Sequence, residues 1–328
     1  VNRLIASLLA LGFCLSSYAF AADGKSKKAA KRPSHKSAAT ATTKVASRPH
    51  SSKPYRGWGY LVERLRANGV SQQDIDAIYT DPRMPEFTFI PFSVRPKEPA
   101  SMYTNFTKPT YRELGASFLD QKKEVFDHVE ETLKVPREVV TAILVVESQI
   151  GRFTGNQLIV YRLSRLASAN APENLRENYH EQKKKDPSVT FEQIQRRGRY
   201  LEQTFLPEIP ALISIAKQSN IEVLSMKGSI AGAFGMPQFL PSAFMKFGMD
   251  GNKDGTISLH NEEDAMWSTA NYLANYGFRE DIPLQEKRSI IWRYNKSKSY
   301  IDTILRLSNS MRQESPSGST ENNPKNGS

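Results

Sequence analysis

Between residues 137 and 151, Val139, Val140, Ile143, Leu144 and Ile150 recur at spacings of three, four and seven, the signature of one apolar helical face. One carboxylate, Glu147, shares that stripe, four residues after Ile143 and three before Ile150. Pro136 suits the first turn of this helix and Gly151 its end. Upstream, "YRGWGYLVERLRANG" has the same kind of spacing at Trp58, Leu61 and Leu65, with Gly69 ending the turn, and Ser71 can cap a short helix over "QQDIDAIYT". "PRMPEFTFIPFSVRPKEPA" holds too many prolines for regular helix and predicts an extended, wrapping segment. Helical spacing returns over 111–133 and again over 157–218, there interrupted by Pro172, Pro187, Pro207 and Pro210. Within that stretch "ENLRENYHEQKKKDPSVTFEQIQRRGRYLEQ" is so charged that most of it should face water. An Asp/Asn/Gly loop follows, then helices to about Met311, and strand signals are confined to scraps such as "TISLH". The pattern predicts a mainly α fold.

The two ends do not share this pattern. Residues 4–21, "LIASLLALGFCLSSYAFA", follow Arg3 and end in small residues at alternate positions, which predicts a secretory signal peptide over 1–22, cleaved near Ala21 or Ala22. The alternative is a permanent anchor, but the stretch is short and broken by Ser16 and Ser17. No second stretch is apolar enough for a transmembrane helix. The one cysteine, Cys14, falls inside this segment, so disulfides, zinc-cysteine sites and cysteine nucleophiles are excluded from the mature chain. Phe13 beside it argues against lipid attachment. Residues 312–328, "RQESPSGSTENNPKNGS", lack apolar side chains and predict a disordered tail.

The net charge of +11 suggests nucleic acid until it is located. Residues 23–56 carry +9 and Arg3 one more, leaving +1 for 57–328. That basic stretch is rich in Ala, Ser, Thr and Pro and reads as a disordered linker. It is either a tether for anionic wall polymer or lipid headgroups, or a solvated spacer with no partner. A nucleic-acid partner is not expected, because the folded part has no basic surplus to neutralise phosphates. The histidines, at 35, 50, 128, 180 and 260, have no spacing of a metal site or a triad.

Glu147 on an apolar stripe has two readings. Burial would disfavour its ionised form and keep a proton available, which is how a general acid is made. Alternatively it is structural, paired with an arginine such as Arg152 or set at a fraying helix end.

"VVESQIGRFTG" resembles the catalytic Glu-Ser segment of the B-type lytic murein transglycosylases, glycoside hydrolase family 103, and "KGSIAGAFGMPQFLPSAF" resembles the same family's Gly-Ala-x-Gly-x-x-Gln-Phe-x-Pro-Ser signature. "NYLANYGF" and "YNKSKSY" follow in the family's order, and the similarity runs from about Trp58 to Leu307. The chain departs from the family at Gln149, Ile150 and Gly151, where an aromatic-Gly pair is usual, and over 157–169, with Arg162 and Arg165. The resemblance implies a lysozyme-like catalytic core over 57–311, with a helical lobe at about 163–222 inserted in it. It also implies a periplasmic enzyme that cleaves the MurNAc-(β1,4)-GlcNAc bond of peptidoglycan without water, Glu147 serving as acid and then base. By the same resemblance Ser229 and Gln238 would bind the sugar amides. Gly232 and Gly235 would let backbone approach closely, and Pro237 and Pro241 would stiffen the loop. Phe239, Tyr272, Tyr294 and Tyr300 would supply stacking faces or polar tips, with Asn295 beside Glu147. The alternative for each aromatic is core packing, to which Trp267 and Trp292 are assigned.

"DGNKDGTISLHNEED" repeats the first half of an EF-hand loop at Asp250, Asn252, Asp254 and Gly255, but its twelfth position is Asn261 where an EF-hand has Glu. The resemblance implies a fifteen-residue EF-hand-like loop closed by Asp264, with the Thr256 carbonyl contributing and calcium as a structural ion. The alternative is a plain turn leading into a strand. The chemistry itself needs no cofactor. The expected partners are peptidoglycan glycan strands and other cell-wall enzymes, bound by a monomer. The rival functions are a muramidase that admits water and a non-catalytic peptidoglycan-binding protein.

Overall fold

The computed structural model describes residues 54–96 and 99–312. The expected signal peptide, nearly all of the linker and the tail beyond Arg312 lie outside the described residues. Tyr55 and Arg56, at the end of the segment read as linker, are part of the fold. Tyr55 Oη donates to Asp76 Oδ1 at 3.0 Å, and Arg56 Nη1 donates to the carbonyls of Asp81 and Met84.

Two short helices come first among the described residues, α1 (Gly59–Ala67) and α2 (Gln72–Tyr79), the second capped by Ser71, which accepts from Asp74 N. Over residues 82–96 the proline-rich segment runs without helix, as expected, and has an unexpected partner. Next come α3 (Pro109–Gln121), α4 (Lys123–Leu133) and α5 (Arg137–Ser148). Pro136 is the N-cap of α5, one position ahead of the first turn. Every residue from Val139 to Ser148 is buried, so α5 presents no polar face: α3 and two later helices, α11 (Glu262–Asn275) and α13 (Lys298–Arg312), close around it.

A two-residue antiparallel ladder joins β1 (Gln157–Leu158) to β2 (Lys227–Gly228). Between them lie α6 (Ile159–Ala167), α7 (Pro172–Lys185), α8 (Phe191–Phe205) and α9 (Glu208–Gln218). The highly charged α7 does not simply face water: Asn174 and Asn178 are each 2% exposed. With Gln182 they form an i, i+4, i+8 row whose amides bond Ile90, Phe92 and Val94, doing for the extended segment what a neighbouring strand would do. Glu202 of α8 is likewise buried, accepting from Tyr60, Arg64 and Asn170.

α10 (Pro241–Phe247) and α12 (Leu284–Tyr294) complete the helices. "TISLH" forms no strand; Thr256–His260 is turn and loop. Its alternation is too short to pair once Asp264 takes the backbone N–H groups around it. Trp267 is buried as expected, whereas Trp292 is 44% exposed, because Ile290 and Ile291 occupy the inward side of α12 and the next position turns outward.

Candidate active site

Glu147 is the penultimate residue of α5 and is 4% exposed. The chain leaves it abruptly: Gln149, Ile150 and Gly151 all adopt positive φ, and Ile150 N reaches back six residues to donate to Leu144 O at 3.1 Å, closing the helix end. A β-branched residue in the left-handed region is costly, so this turn is held by its surroundings. Ser148 Oγ accepts from Gly151 N at 2.9 Å. Arg152, the candidate structural partner, is exposed and forms no ion pair with Glu147 among the described residues.

What meets Glu147 is a tyrosine. Tyr300 of α13 is fully buried, and its Oη donates to Glu147 Oε1 at 2.7 Å. Tyr294, at the end of α12, stacks on Tyr300 with ring centroids 6.3 Å apart and planes 11° off parallel, and its Oη donates to Pro237 O at 2.6 Å. Tyr272 of α11 meets Tyr294 at 4.8 Å, and Phe239 meets both at 5.8 and 5.9 Å. The rings form an unbroken row from Glu147 to the loop that carries Gln238. Burial first, and the Glu147 carboxylate second, push the Tyr294 and Tyr300 hydroxyls well above the ordinary tyrosine range. Both therefore stay protonated donors at neutral pH. Burial likewise raises Tyr272. Tyr272 and Phe239 are covered by their neighbours and offer little open face.

The loop 229–239 is shaped by close approach. Gly232 and Gly235 both have positive φ, and a Cβ there would stand 2.3 Å from Leu163 and 2.2 Å from Leu259. Ser229 is buried, with its Oγ engaged by Ala233 N at 3.2 Å, which holds the turn. Gln238 also has positive φ. Its Nε2 donates to Thr154 O at 3.1 Å and Gly235 O at 2.8 Å, and two carbonyl partners fix the amide orientation. That leaves Gln238 Oε1 buried without a hydrogen-bond partner among the described residues, a strong acceptor waiting for a donor. Asn295 is the half-buried C-cap of α12, its carbonyl accepting from Ser297 N.

Sequence reasoning missed Tyr103, whose ring meets Tyr300 edge-on at 6.0 Å, and the carbonyls of Thr154 and Pro237. Tyr103 sits in a segment with no periodic pattern, and backbone acceptors leave no residue-type signal. A cavity of about 690 Å³ lies elsewhere, walled by residues such as Trp58, Tyr60, Phe87 and Arg176, and shares none of the predicted site residues.

In the 250–264 loop the acidic groups serve backbone N–H donors. Asp250 accepts from Asp254 N and Gly255 N, Asn252 Oδ1 from Asp254 N, and Asp254 Oδ1 from both the backbone and hydroxyl of Thr256. Asp264 is fully buried and accepts from Gly251, Asn252 and Ser258. Asn261, the departure from the EF-hand pattern, caps α11 by accepting from Glu263 N and Asp264 N. Among the described residues no three His, Cys, Asp or Glu side chains converge closely enough to hold a metal. The oxygens gathered at Asp250, Asn252 and Asp254 are nonetheless the donor type a hard cation takes.

Residues 56–290 match the family described as Transglycosylase SLT domain. Over 173 residues the chain is 29% identical to the membrane-bound lytic murein transglycosylase B of Escherichia coli (strain K12). That stretch is 53% of this chain but 40% of the relative, so the chain spans less than half of its length. The soluble lytic transglycosylase SltB1 of Pseudomonas aeruginosa superposes with a TM-score of 0.58 at 20% identity, over 78% of this chain and 98% of that one. Escherichia coli Slt35, solved in complex with calcium, also gives 0.58 at 20% identity, over 81% and 95%. The mainly helical, lysozyme-like architecture expected from the sequence is the fold these structures share with it. With most of its length matched, the chain belongs to the transglycosylase SLT-domain family.

Proposed function

We propose that the protein is a peptidoglycan lytic transglycosylase that uses Glu147 as its single catalytic acid and base. The observation that carries this reading is the shelter of Glu147: 4% exposed, touched by the Tyr300 hydroxyl, and joined by a row of rings to the loop of Gln238.

In the reaction Glu147 gives its proton to the glycosidic oxygen linking N-acetylmuramic acid to N-acetylglucosamine, and the C1–O4 bond breaks. The acetamide of the muramyl sugar stabilises the positive anomeric carbon. The Glu147 carboxylate then takes the proton of the 6-hydroxyl, whose oxygen closes on C1. The products are a free 4-hydroxyl and a 1,6-anhydro end, with Glu147 reprotonated and no water consumed. Tyr300 holds the carboxyl in place, and the dry aromatic surroundings discourage attack by water. Gln238 Oε1 is a ready acceptor for a sugar amide N–H. Tyr294 and Asn295 border the binding face, and Ser229, Phe239 and Tyr272 support it from behind.

The relative Slt35 was solved with calcium. By analogy Asp250, Asn252, Asp254, the Thr256 carbonyl and Asp264 would be the residues to hold a calcium ion, which would brace the loop without entering the chemistry. The protein acts in the periplasm as an exported monomer, with the basic segment 23–56 as tether and the helices around 163–222 as a lobe beside the groove. Among the described residues no helix is long and apolar enough to cross a membrane.

Digestion of purified sacculi followed by mass analysis of the fragments tests the reading. Wild type should release anhydro ends, each lighter by one water than a reducing end, and Glu147→Gln should release none. Reducing ends from wild type would instead identify a hydrolytic muramidase. Binding without any cleavage by either protein would leave a peptidoglycan-binding protein in which Glu147 is structural.

A further inference from the structure

Two half-buried arginines on α6, Arg162 and Arg165, have no carboxylate partner among the described residues. Arg64 pairs with Glu202, Arg137 with Asp127 and Glu130, and Arg288 with Asp302. Arg162 instead donates through Nε to Ile230 O at 2.8 Å, and Arg165 through Nη2 to Phe89 O at 2.9 Å. Both are half-buried, and Arg165 Nε is buried with no hydrogen-bond partner among the described residues. Burial, and after it the like charge of Arg165, pull Arg162 below the ordinary arginine value; the Tyr161 phenol acts the other way, and no carboxylate contributes. Two partly desolvated like charges without a counter-ion are costly to keep. Such an arrangement makes sense when an anion arrives from outside.

Their position says which anion. Ile230 belongs to the loop 229–239, and the same loop carries Gln238, which bonds Thr154 O in the segment just after Glu147. Arg162 therefore grips one end of the loop whose other end reaches the turn that follows Glu147. The two Nη groups of Arg162 make no bond to the protein among the described residues, so the planar fork is open to a carboxylate with two parallel bonds. A muramyl glycan brings such carboxylates on its peptide stems, and a stem of three to five residues extends about 10–18 Å from its sugar.

We infer that Arg162, supported by Arg165, binds a free carboxylate of the peptide stem and so makes this protein prefer peptide-bearing glycan over bare strands. The inference rests on the glycan-cleaving reading above and assigns α6 a specificity role within it.

The test compares kcat/KM of the full protein on soluble glycan strands with intact stems and on the same strands stripped of peptide by an amidase. Wild type should favour the stemmed strands. Arg162→Ala should lower kcat/KM on them, through KM, roughly tenfold more than on bare strands, the size of a lost charge-assisted hydrogen bond, whatever loss the freed Ile230 carbonyl brings to both. Arg162→Lys, which keeps the charge without the fork, should fall between. Equal loss on both substrates would mark Arg162 as a structural support of the loop, and no loss on either would remove it from recognition; each overturns the inference. A second arm leaves the protein unaltered: amidating the stem carboxylates should abolish the wild-type preference, and a preference that survives amidation overturns the inference whatever the variants do. Wild type that cleaves neither substrate would defeat the parent reading and this one with it, whereas cleavage of both at one rate defeats this one alone.

Discussion

The surroundings of Glu147 and the loop at 250–264 each hold carboxylates in place, by opposite means. Glu147 is positioned by packing: α5 is buried on every side, and one tyrosine hydroxyl points at the carboxyl. The acids of the loop are positioned by backbone N–H groups, with Asp264 buried and Asp254 out in water. Packing by apolar neighbours fixes a group without itself drawing on its lone pairs, since such neighbours neither donate nor accept. Hydrogen bonding fixes a group by using up its lone pairs. The proton transfer proposed for Glu147 calls for the first setting, and the shaping of a loop for the second.

The difference can be broken from the packing side first. Ile143, fully buried one turn before Glu147, supports that residue with no polar contact at all. Ile143→Ala should cost about 2–5 kcal/mol in urea unfolding, from lost burial and the cavity left behind. A cost near zero would mean that the helix collapses onto the gap and that packing does not set the position of Glu147. Next in size is Tyr300→Phe, which keeps the ring and deletes the bond to Glu147. Wall cleavage should drop about 10–100-fold, the scale of one buried hydrogen bond to an ionisable group, with the shape of the fold intact by circular dichroism. Unchanged turnover would remove Tyr300 from the positioning of the acid.

These two residues also show what the chain reveals on its own. Ile143 and Glu147 were readable together, because a helical period reports which side chains share a face, and burial of that face follows. The partner of Glu147 was not readable from period: Tyr300 lies 153 residues away, and only the family resemblance placed it near the site. The Asn174–Asn178–Gln182 row was missed for a related reason. Its polar spacing looks like a solvated face until the segment at 90–94 lies against it. The two-residue ladder of Gln157–Leu158 with Lys227–Gly228 was invisible because it is shorter than any alternation. Conversely "TISLH" alternates and forms no strand, since its central N–H, that of Ser258, goes to Asp264 and that of Thr256 to Asp254. Trp292 was assigned inward on residue type alone, and the helical period corrects it.

On the hydrogen-bonded side, Asp264→Asn is the sharper cut. An amide is nearly isosteric, but its nitrogen cannot accept, so at least one of the three N–H groups from Gly251, Asn252 and Ser258 loses its partner. We expect a loss of about 1–2 kcal/mol, the penalty for an orphaned buried donor. The first amides to lose hydrogen-exchange protection should be those three. The effect should also reach the active-site loop, because Met236 N bonds Leu259 O and Gly235 packs on Leu259. Protection lost elsewhere, with the three amides still slow to exchange, would mean that Asp264 is not what holds the loop.

The smallest effect is the one that separates shape from ion. Asp254 is exposed and bonds only within its own turn, so Asp254→Asn should change stability by no more than about 0.5 kcal/mol in the presence of a chelator. If the loop takes calcium with the roughly 0.1–1 mM affinity of extracellular modules, about 10 mM calcium should stabilise the wild type by about 1.4–2.7 kcal/mol. For a fold of this size that is a rise in Tm of about 3–10 °C. The rise should vanish in Asp254→Asn, where a ligand charge is lost, and should be smaller with magnesium, which demands a tighter octahedral shell. A Tm that is flat in calcium, or that rises equally in the variant, would make this loop a self-satisfied turn. Its acids would then do no more than their backbone bonds already do, and the contrast with Glu147 would be one of packing against hydrogen bonding, with no ion involved.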